Sequence, residues 1–475
     1  MSTIQSILGS TFTSYLRGRS LLATLAGAVT VLACGVTACT LPSEEADPGA
    51  SEDALSESKH LGMTDLTIVY PLPKAAADLD YLMSPSSEGS RGELFGENVF
   101  AQLDGMREPT AHGYEAAPTP QPRGNIMHQF NGVANAPWGT VYSQLRIVGV
   151  RIDPCFAGTS DLGAASCEPM IRMVAQFINP ASPGDMNPNA LHLFYRLTKP
   201  ELAAVTKQLL GLRVAARLPL QKGFVDYSDP PADRFVGFGV HPTLVKEGLA
   251  GPYARGLQSL LLTYAGSKNL VQVAVAAADV GGVSWFADQN SLTRDRTAWI
   301  FGRFDVRHET LYGQAAPALT RGIQRMEVAG RIDRHSGTPP RSFVSMVPEM
   351  STRPAYFGVL EKDPSTLTEA EWAPIRRSAF SLLDPTKTSA HSADCATCHA
   401  ADQGAALPWG TPTPAYAFRS NTWRLDSTPA GRAPMRMMGW VPQRGWGGPP
   451  TPVLAARVVN ETAMALDYVN KSVMK

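Results

Sequence analysis

The chain has 475 residues, equal numbers of basic and acidic side chains and 18% charged residues. That balance gives no field suited to a phosphate backbone, so nucleic-acid binding is not expected. A hydrophobic content of 44% is that of a folded globular protein, the length allows two or three domains, and 38 prolines with 41 glycines favour long connections and β-rich architecture over a helical bundle.

The N-terminus places Arg17 and Arg19 before an uncharged run from Leu21 to Ala33. A basic segment followed by an apolar one too short to span a bilayer comfortably is the pattern of an export signal. The run ends in Val31-Leu32-Ala33-Cys34, with Val36-Thr37-Ala38-Cys39 five residues on. Both resemble the lipobox of bacterial lipoproteins, in which a small residue precedes the cysteine that is acylated and becomes the mature N-terminus. The length of the apolar run favours Cys34, whereas the cysteine count favours Cys39; a plain cleaved signal or an uncleaved anchor helix are the alternatives. Neither Gly35 nor Thr40 is the aspartate that commonly retains such proteins at the inner membrane, so the resemblance implies an outer-membrane lipid anchor. The expected organisation is a signal peptide over 1–38, a flexible tether over 39–63, a β-rich domain over 64–345 and a C-terminal domain over 346–475. The tether is small, acidic and unable to bury a core.

Folded patterns begin near residue 64. Leu66–Tyr70 reads as a strand, and a helix is expected near Leu94–Leu103. Alternation predicts strands over Gln144–Ile152, Met170–Ile178 and Leu191–Leu197. Pro200 just after Thr198 marks the start of a helix over Lys199–Leu210. A second helical pattern, Leu244–Leu262, contains Gly248, Gly251 and Pro252, which divide it. Strands follow over Leu270–Ala276, Ser284–Ala287, Ala298–Val306, Ile323–Ile332 and Ser342–Val347. Many short strands separated by turn residues predict an α+β chain whose central domain is sandwich-like. That domain holds no GxSxG, P-loop or HExxH. His192, between apolar neighbours in a strand, reads as a packing residue; His241, before Pro242, as a helix cap; and His308 as a solvated residue.

The last part carries the chemistry. Thr368-Glu369-Ala370-Glu371 opens a helix that stops at Pro385, and a loop leads to Cys395-Ala396-Thr397-Cys398-His399. Two cysteines two residues apart, followed at once by histidine, form the attachment pattern for c-type haem. Each thiol adds across one vinyl group of the porphyrin, and the spacing lets both sulfurs reach. The next residue then presents its imidazole to the iron. Cys395 and Cys398 are therefore the expected tethers and His399 the proximal ligand of one covalent haem c. A zinc site would need a second pair at similar spacing, and no other CxxC or HxxxH exists among the 6 cysteines and 9 histidines. Pro452–Val473 reads as a long terminal helix capped by Thr451, with an apolar stripe of Leu454, Val458, Ala463, Leu466, Tyr468 and Val469.

The order CxxCH, loop, Pro434-Met435-Arg436-Met437-Met438, terminal helix resembles class I c-type cytochromes over the last ninety or so residues. The resemblance implies a small, mainly helical cytochrome c-like domain with a methionine as sixth iron ligand. Met437 is the first candidate, with Met435 and Met438 as alternatives; Trp423, Arg432, Arg436 and Trp440 are candidates to meet the propionates. The segment departs from the family in two respects: Pro385 breaks the preceding helix, and His391 stands where an aromatic residue is usual, which keeps bis-histidine ligation open. Cys155 and Cys167 remain. In an oxidising compartment they pair as a disulfide worth roughly 2–3 kcal/mol through loop closure. The reading is an envelope lipoprotein that carries single electrons rather than an enzyme, its redox partner unidentified. The alternatives are a haem enzyme with an open sixth position and a surface or periplasmic binding or structural lipoprotein.

Overall fold

The computed structural model describes residues 60–104, 142–155, 168–179, 186–216, 239–279, 296–311, 314–319 and 323–329, and, further on, 368–371, 385, 399, 417–419, 424–426, 438–441 and 450–474. All lie within one compact unit, residues 51–475. The expected strands at Ser284–Ala287 and Ser342–Val347 fall outside the described residues.

The unit is mixed helix and sheet, and its frame is one antiparallel sheet. In chain order its strands are β1 (Thr67–Val69), β4 (Leu145–Asp153), β5 (Met170–Ile178), β6 (Met186–Arg196), β7 (Leu270–Asp279), β8 (Arg296–Leu311), β9 (Gln314–Leu319) and β10 (Ile323–Ala329); β2 (Glu88–Gly89) and β3 (Gly92–Glu93) form a separate small hairpin, and β11 (Ala417–Arg419) and β12 (Arg424–Asp426) another two-stranded pair. Across the sheet the order is β1-β4-β5-β6-β7-β8-β10, with β9 folded back on the end of β8. Consecutive strands are neighbours from β4 to β8, as short connections favour. Among the described residues there is no second large sheet facing this one.

Alternation gives the sheet two unlike faces. Val150, Ile152, Ile171, Met173, Leu193, Tyr195, Val273 and Phe304 share one face through cross-strand register and are almost wholly buried. Against them lie the segment 94–104, which includes α2 (Glu97–Asp104), and the helices α3 (Lys199–Ala215) and α5 (Pro252–Tyr264), in one continuous core. Tyr195 and Tyr142 each donate a hydroxyl hydrogen bond into this layer, to the carbonyls of Leu94 (2.7 Å) and Phe95 (2.6 Å). Helix α3 starts where Pro200 after Thr198 marked it, and with a capping box: Glu201 N–H donates to Thr198 Oγ1 at 3.4 Å, and Thr198 N–H to Glu201 Oε2 at 2.7 Å. The helical pattern over 244–262 is indeed divided, into α4 (Pro242–Glu247) and α5, where Gly248 takes φ +77°.

The opposite face is the unusual one. It carries Thr67, Gly149, Arg151, Asp153, Arg172, Val174, Gln176, His192, Phe194 and Gln272. A polar face of an antiparallel sheet normally meets water. Here it is covered by the hairpin β13 (Met438–Val441) and β14 (Thr451–Leu454) and by the helix α6 (Ala456–Tyr468), which continues as a π-helical turn over Val469–Val473. The terminal helix thus begins at Ala456 instead of Pro452: residues 451–454 pair with β13, and Pro452 lies opposite Trp440. Tyr468, expected in the buried stripe, is exposed, whereas Val458, Ala463, Leu466 and Val469 are buried.

Buried polar pairs fasten α6 to the sheet. Glu461 accepts from Arg151 of β4 and, at 2.6 Å, from Arg457 one turn earlier. Thr67 and Thr462 share a hydroxyl hydrogen bond at 2.7 Å. In the hairpin, Trp440 N–H donates to Gln176 Oε1 at 2.7 Å, and Gln176 Nε2 donates back to the Trp440 carbonyl at 2.9 Å. At the β1 edge the short helix α1 (Met63–Leu66) joins the two layers, since its Asp65 pairs with Arg213 of α3 at 2.5 Å.

Candidate functional site

The covered polar face is where the one described residue of the CxxCH motif lies. His399 is half-buried, and its ring stands over β6, with its centroid 6.2 Å from that of His192 and the two ring planes crossed at 82°. Cys395 and Cys398 lie outside the described residues.

His192 sits in the middle of β6, itself the central strand of the sheet. Gly149, Val174, His192 and Ala274 form one line across four strands on this face. Along β6 the same-face neighbours are Ala190 and Phe194, and Ala190 and Ala274 are buried. His192 is therefore a long side chain rising from a floor of small apolar ones, held by hydrogen-bonded strands on both sides. Burial pushes its imidazole down to about 3, with His399 and Arg172 acting in the same direction, so it is neutral at physiological pH.

Charge gathers beside the pair. Arg172, diagonal to His192, stacks over the Phe194 ring at 5.4 Å and pairs with Asp153. Its Nε is buried and has no hydrogen-bond partner among the described residues, and the same holds for Arg151 Nε. Burial alone would raise the Glu461 carboxyl, but Arg151 and Arg457, with Arg172 further off, more than offset it and hold it well below the usual carboxylate range. Three arginines thus face two carboxylates, Glu461 and Asp153, in an enclosed place. That excess of positive charge, with two unsatisfied guanidinium N–H groups, suits an acidic group.

The chemistry of this donor set fits haem in three respects. An imidazole that follows CxxC in sequence stands half-buried against the sheet, small apolar side chains lie beside the His192 ring it meets, and arginines able to meet propionates stand nearby. Among the described residues no three His, Cys, Asp or Glu side chains converge on one point as a metal-ion cage would require. A porphyrin iron does not need one, because the macrocycle supplies four of its ligands.

The other expected residues divide into two groups. Met435, Met437, His391, Trp423, Arg432 and Arg436 lie outside the described residues, as do Cys34, Cys39 and Cys167. Met438 is described: it is buried at the start of β13 and packs on Gly149, where an added Cβ would come within 2.9 Å of its Cε and 3.4 Å of its Sδ. Trp440 spends its indole N–H on the Tyr70 carbonyl at 2.9 Å, which removes it as a donor to a propionate. Cys155 is disulfide-bonded, with its other half outside the described residues; it has φ +51°, and its N–H donates to Asp153 Oδ1 at 2.9 Å. Among the described residues, no helix is long and apolar enough to cross a membrane.

His192 and Arg172 were missed as site residues. A signal for them existed in part: both interrupt apolar strands at positions of one parity, a parity shared with Arg151 and Gln272 through the register. Only the register, which depends on the bulges in β4 and β5, shows that the four share a face.

No family model matches the chain, and neither a curated protein nor a solved structure does.

Proposed function

We propose that the protein is an exported, lipid-anchored carrier of single electrons that binds one haem c. The observation that carries this reading is the spacing Cys395-Ala396-Thr397-Cys398-His399. The place of His399, half-buried with its ring against that of His192 on the central strand, supports it.

Cys395 and Cys398 would hold the group through two thioether bonds, each S–H adding across one vinyl C=C so that no oxidant is consumed. His399 donates a ring nitrogen pair. Arg172, and Arg151 beside it, offer N–H groups to carboxylates. The bound haem would supply one reversible Fe(III)/Fe(II) electron, taken from a one-electron donor and passed to a one-electron acceptor. The sheet's part would be to hold the side chains beside His399 still and to limit the access of water to it.

The sandwich-like and cytochrome c-like folds expected from the pattern are not needed for this role; an attachment motif and an enclosed axial histidine suffice. The anchor at Cys34 or Cys39 followed by a tether would keep this unit close to the envelope yet mobile relative to it.

The test is potentiometric titration of the protein matured with c-type machinery, followed in the visible spectrum. The reading predicts a low-spin haem that titrates with a one-electron slope and turns over no peroxide. High-spin haem with peroxidase turnover would replace it with the enzyme reading.

A further inference from the structure

We infer that His192, on the central strand of the sheet, is the second ligand of the haem iron beside His399, so that the haem is bis-histidine coordinated. The inference rests on the haem reading of that motif and goes beyond it, since the motif alone specifies only the proximal ligand.

The argument is metric. Imidazole binds a metal through a ring nitrogen about 2 Å away. The ring centroid lies about 1.2 Å behind that nitrogen, so two imidazoles on opposite sides of one metal have centroids about 6.3 Å apart. The rings of His192 and His399 are 6.2 Å apart. Two rings on a shared axis can take any mutual rotation, and 82° is the crossed arrangement. Edge-to-face packing of bare aromatic rings covers the same separation. Three further observations favour a metal over bare ring packing. One of the two histidines is the one that follows CxxC. The other is fixed by strands on both sides and has Ala190 and Ala274 beside it, where a large flat group would meet no bulky side chain, while Phe194, its other neighbour along the strand, carries the Arg172 guanidinium. Arg172, with its unpartnered Nε, stands diagonal to it, where an acidic edge would find a donor.

The described methionine of the cluster does not compete from its present place. Met438 packs on Gly149, whose backbone lies two strands, about 10 Å at the spacing of neighbouring strands, from that of His192. A histidine in place of methionine also changes the chemistry: two imidazoles favour ferric iron and set a lower potential than a His/Met pair. The donor would accordingly be a low-potential one.

The experiment uses full-length protein matured with haem, as wild type, His192→Ala and His192→Met. Pyridine haemochrome first counts the covalent haem. Ferric spectra by electron paramagnetic resonance and near-infrared magnetic circular dichroism then identify the axial pair. Wild type should be low-spin with two nitrogen ligands and no weak red absorption from sulfur–Fe(III) bonding. His192→Ala should become high-spin and return to low-spin on addition of imidazole. His192→Met, which keeps a ligand and tests the site even if the alanine variant folds poorly, should gain the red band and a higher potential. If wild type carries haem but shows the sulfur band, or if His192→Ala keeps the wild-type low-spin spectrum without imidazole, His192 is not the ligand and Met437 or another residue is; the haem reading then stands. If wild type carries no covalent haem, the haem reading and this inference fall together.

Discussion

Glu461 offers the sharpest test of how the terminal helix is fixed. Its carboxylate lies between Arg151 of β4 and Arg457 of its own helix, and the three side chains are 9%, 5% and 2% exposed. Glu461→Gln keeps the shape but leaves two guanidinium groups, with a third at Arg172 nearby, short of counter-charge in a buried place. Removing one partner of such a set costs about 3–5 kcal/mol. Unfolding entropy near 2.1 cal/mol/K per residue over roughly 400 cooperative residues makes that a fall in Tm of about 4–6 °C. Differential scanning calorimetry at pH 7 is the assay. Replacing all three residues together by Met or Leu should recover most of the loss, because the arginines then have no charge left to strand. The pH dependence follows the same logic. The folded carboxyl is depressed, so its contribution is present above the unfolded value of about 4.3 and is lost as pH falls towards the folded one. Glu461→Gln should therefore be less acid-sensitive than wild type. A Tm change under 1 °C for Glu461→Gln would refute the reasoning and mean that α6 is held by apolar packing alone.

Three other predictions concern separate parts of the chain. Cys155 should resist alkylation in the folded protein until reductant is added, and a Cys167→Ser variant should expose it; alkylation of Cys155 in unreduced wild type would show that the pairing is wrong. His241, wholly buried and hydrogen-bonded to the Tyr253 hydroxyl at 3.0 Å, is pushed down to about 3 by burial, with Arg213 adding to the effect. The unfolded chain takes up that proton near pH 6.5 and the folded one does not, so stability should fall as pH drops from about 6.5 towards 3, and in urea titrations His241→Gln should remove about one proton from the slope. Replacing Cys34 and Cys39 together by Ser should abolish palmitate labelling and release the protein from membranes; persistent labelling would sink the lipid anchor.

Local chemistry was legible in the sequence, and long-range pairing was not. The limits of β5 coincide with the alternating run Met170–Ile178, and the start of α3 follows from Thr198, Pro200 and Glu201 acting within one turn. Residues whose fate depends on a distant partner misled. Pro452 looks like a helix start, yet residues 451–454 pair with β13 instead. Strand β6 runs back through Pro188 to Met186, where proline argues against a strand; the register shift opposite, between Gln176 and Ile178, accommodates it. His192, Arg172 and Gln176 read as ordinary strand residues because alternation assigns polar positions to solvent. It cannot say that a hairpin and a helix from the far end of the chain will cover that face. The lower-lying signal was composition: α6 carries Arg457, Asn460, Glu461 and Thr462 on turns that would otherwise be apolar, and a helix with buried charge needs a charged surface to meet.

The central claim is that one haem is covalently bound through Cys395 and Cys398. The direct measurement is a pyridine haemochrome spectrum of protein expressed with c-type maturation machinery and extracted with acidified acetone, compared with Cys398→Ser. The account predicts about one haem per chain that survives extraction and shows the spectrum of two saturated vinyl positions, with the variant shifted to one or losing haem altogether. A wild-type protein that emerges without bound haem, or whose haem leaves in acetone, would contradict it.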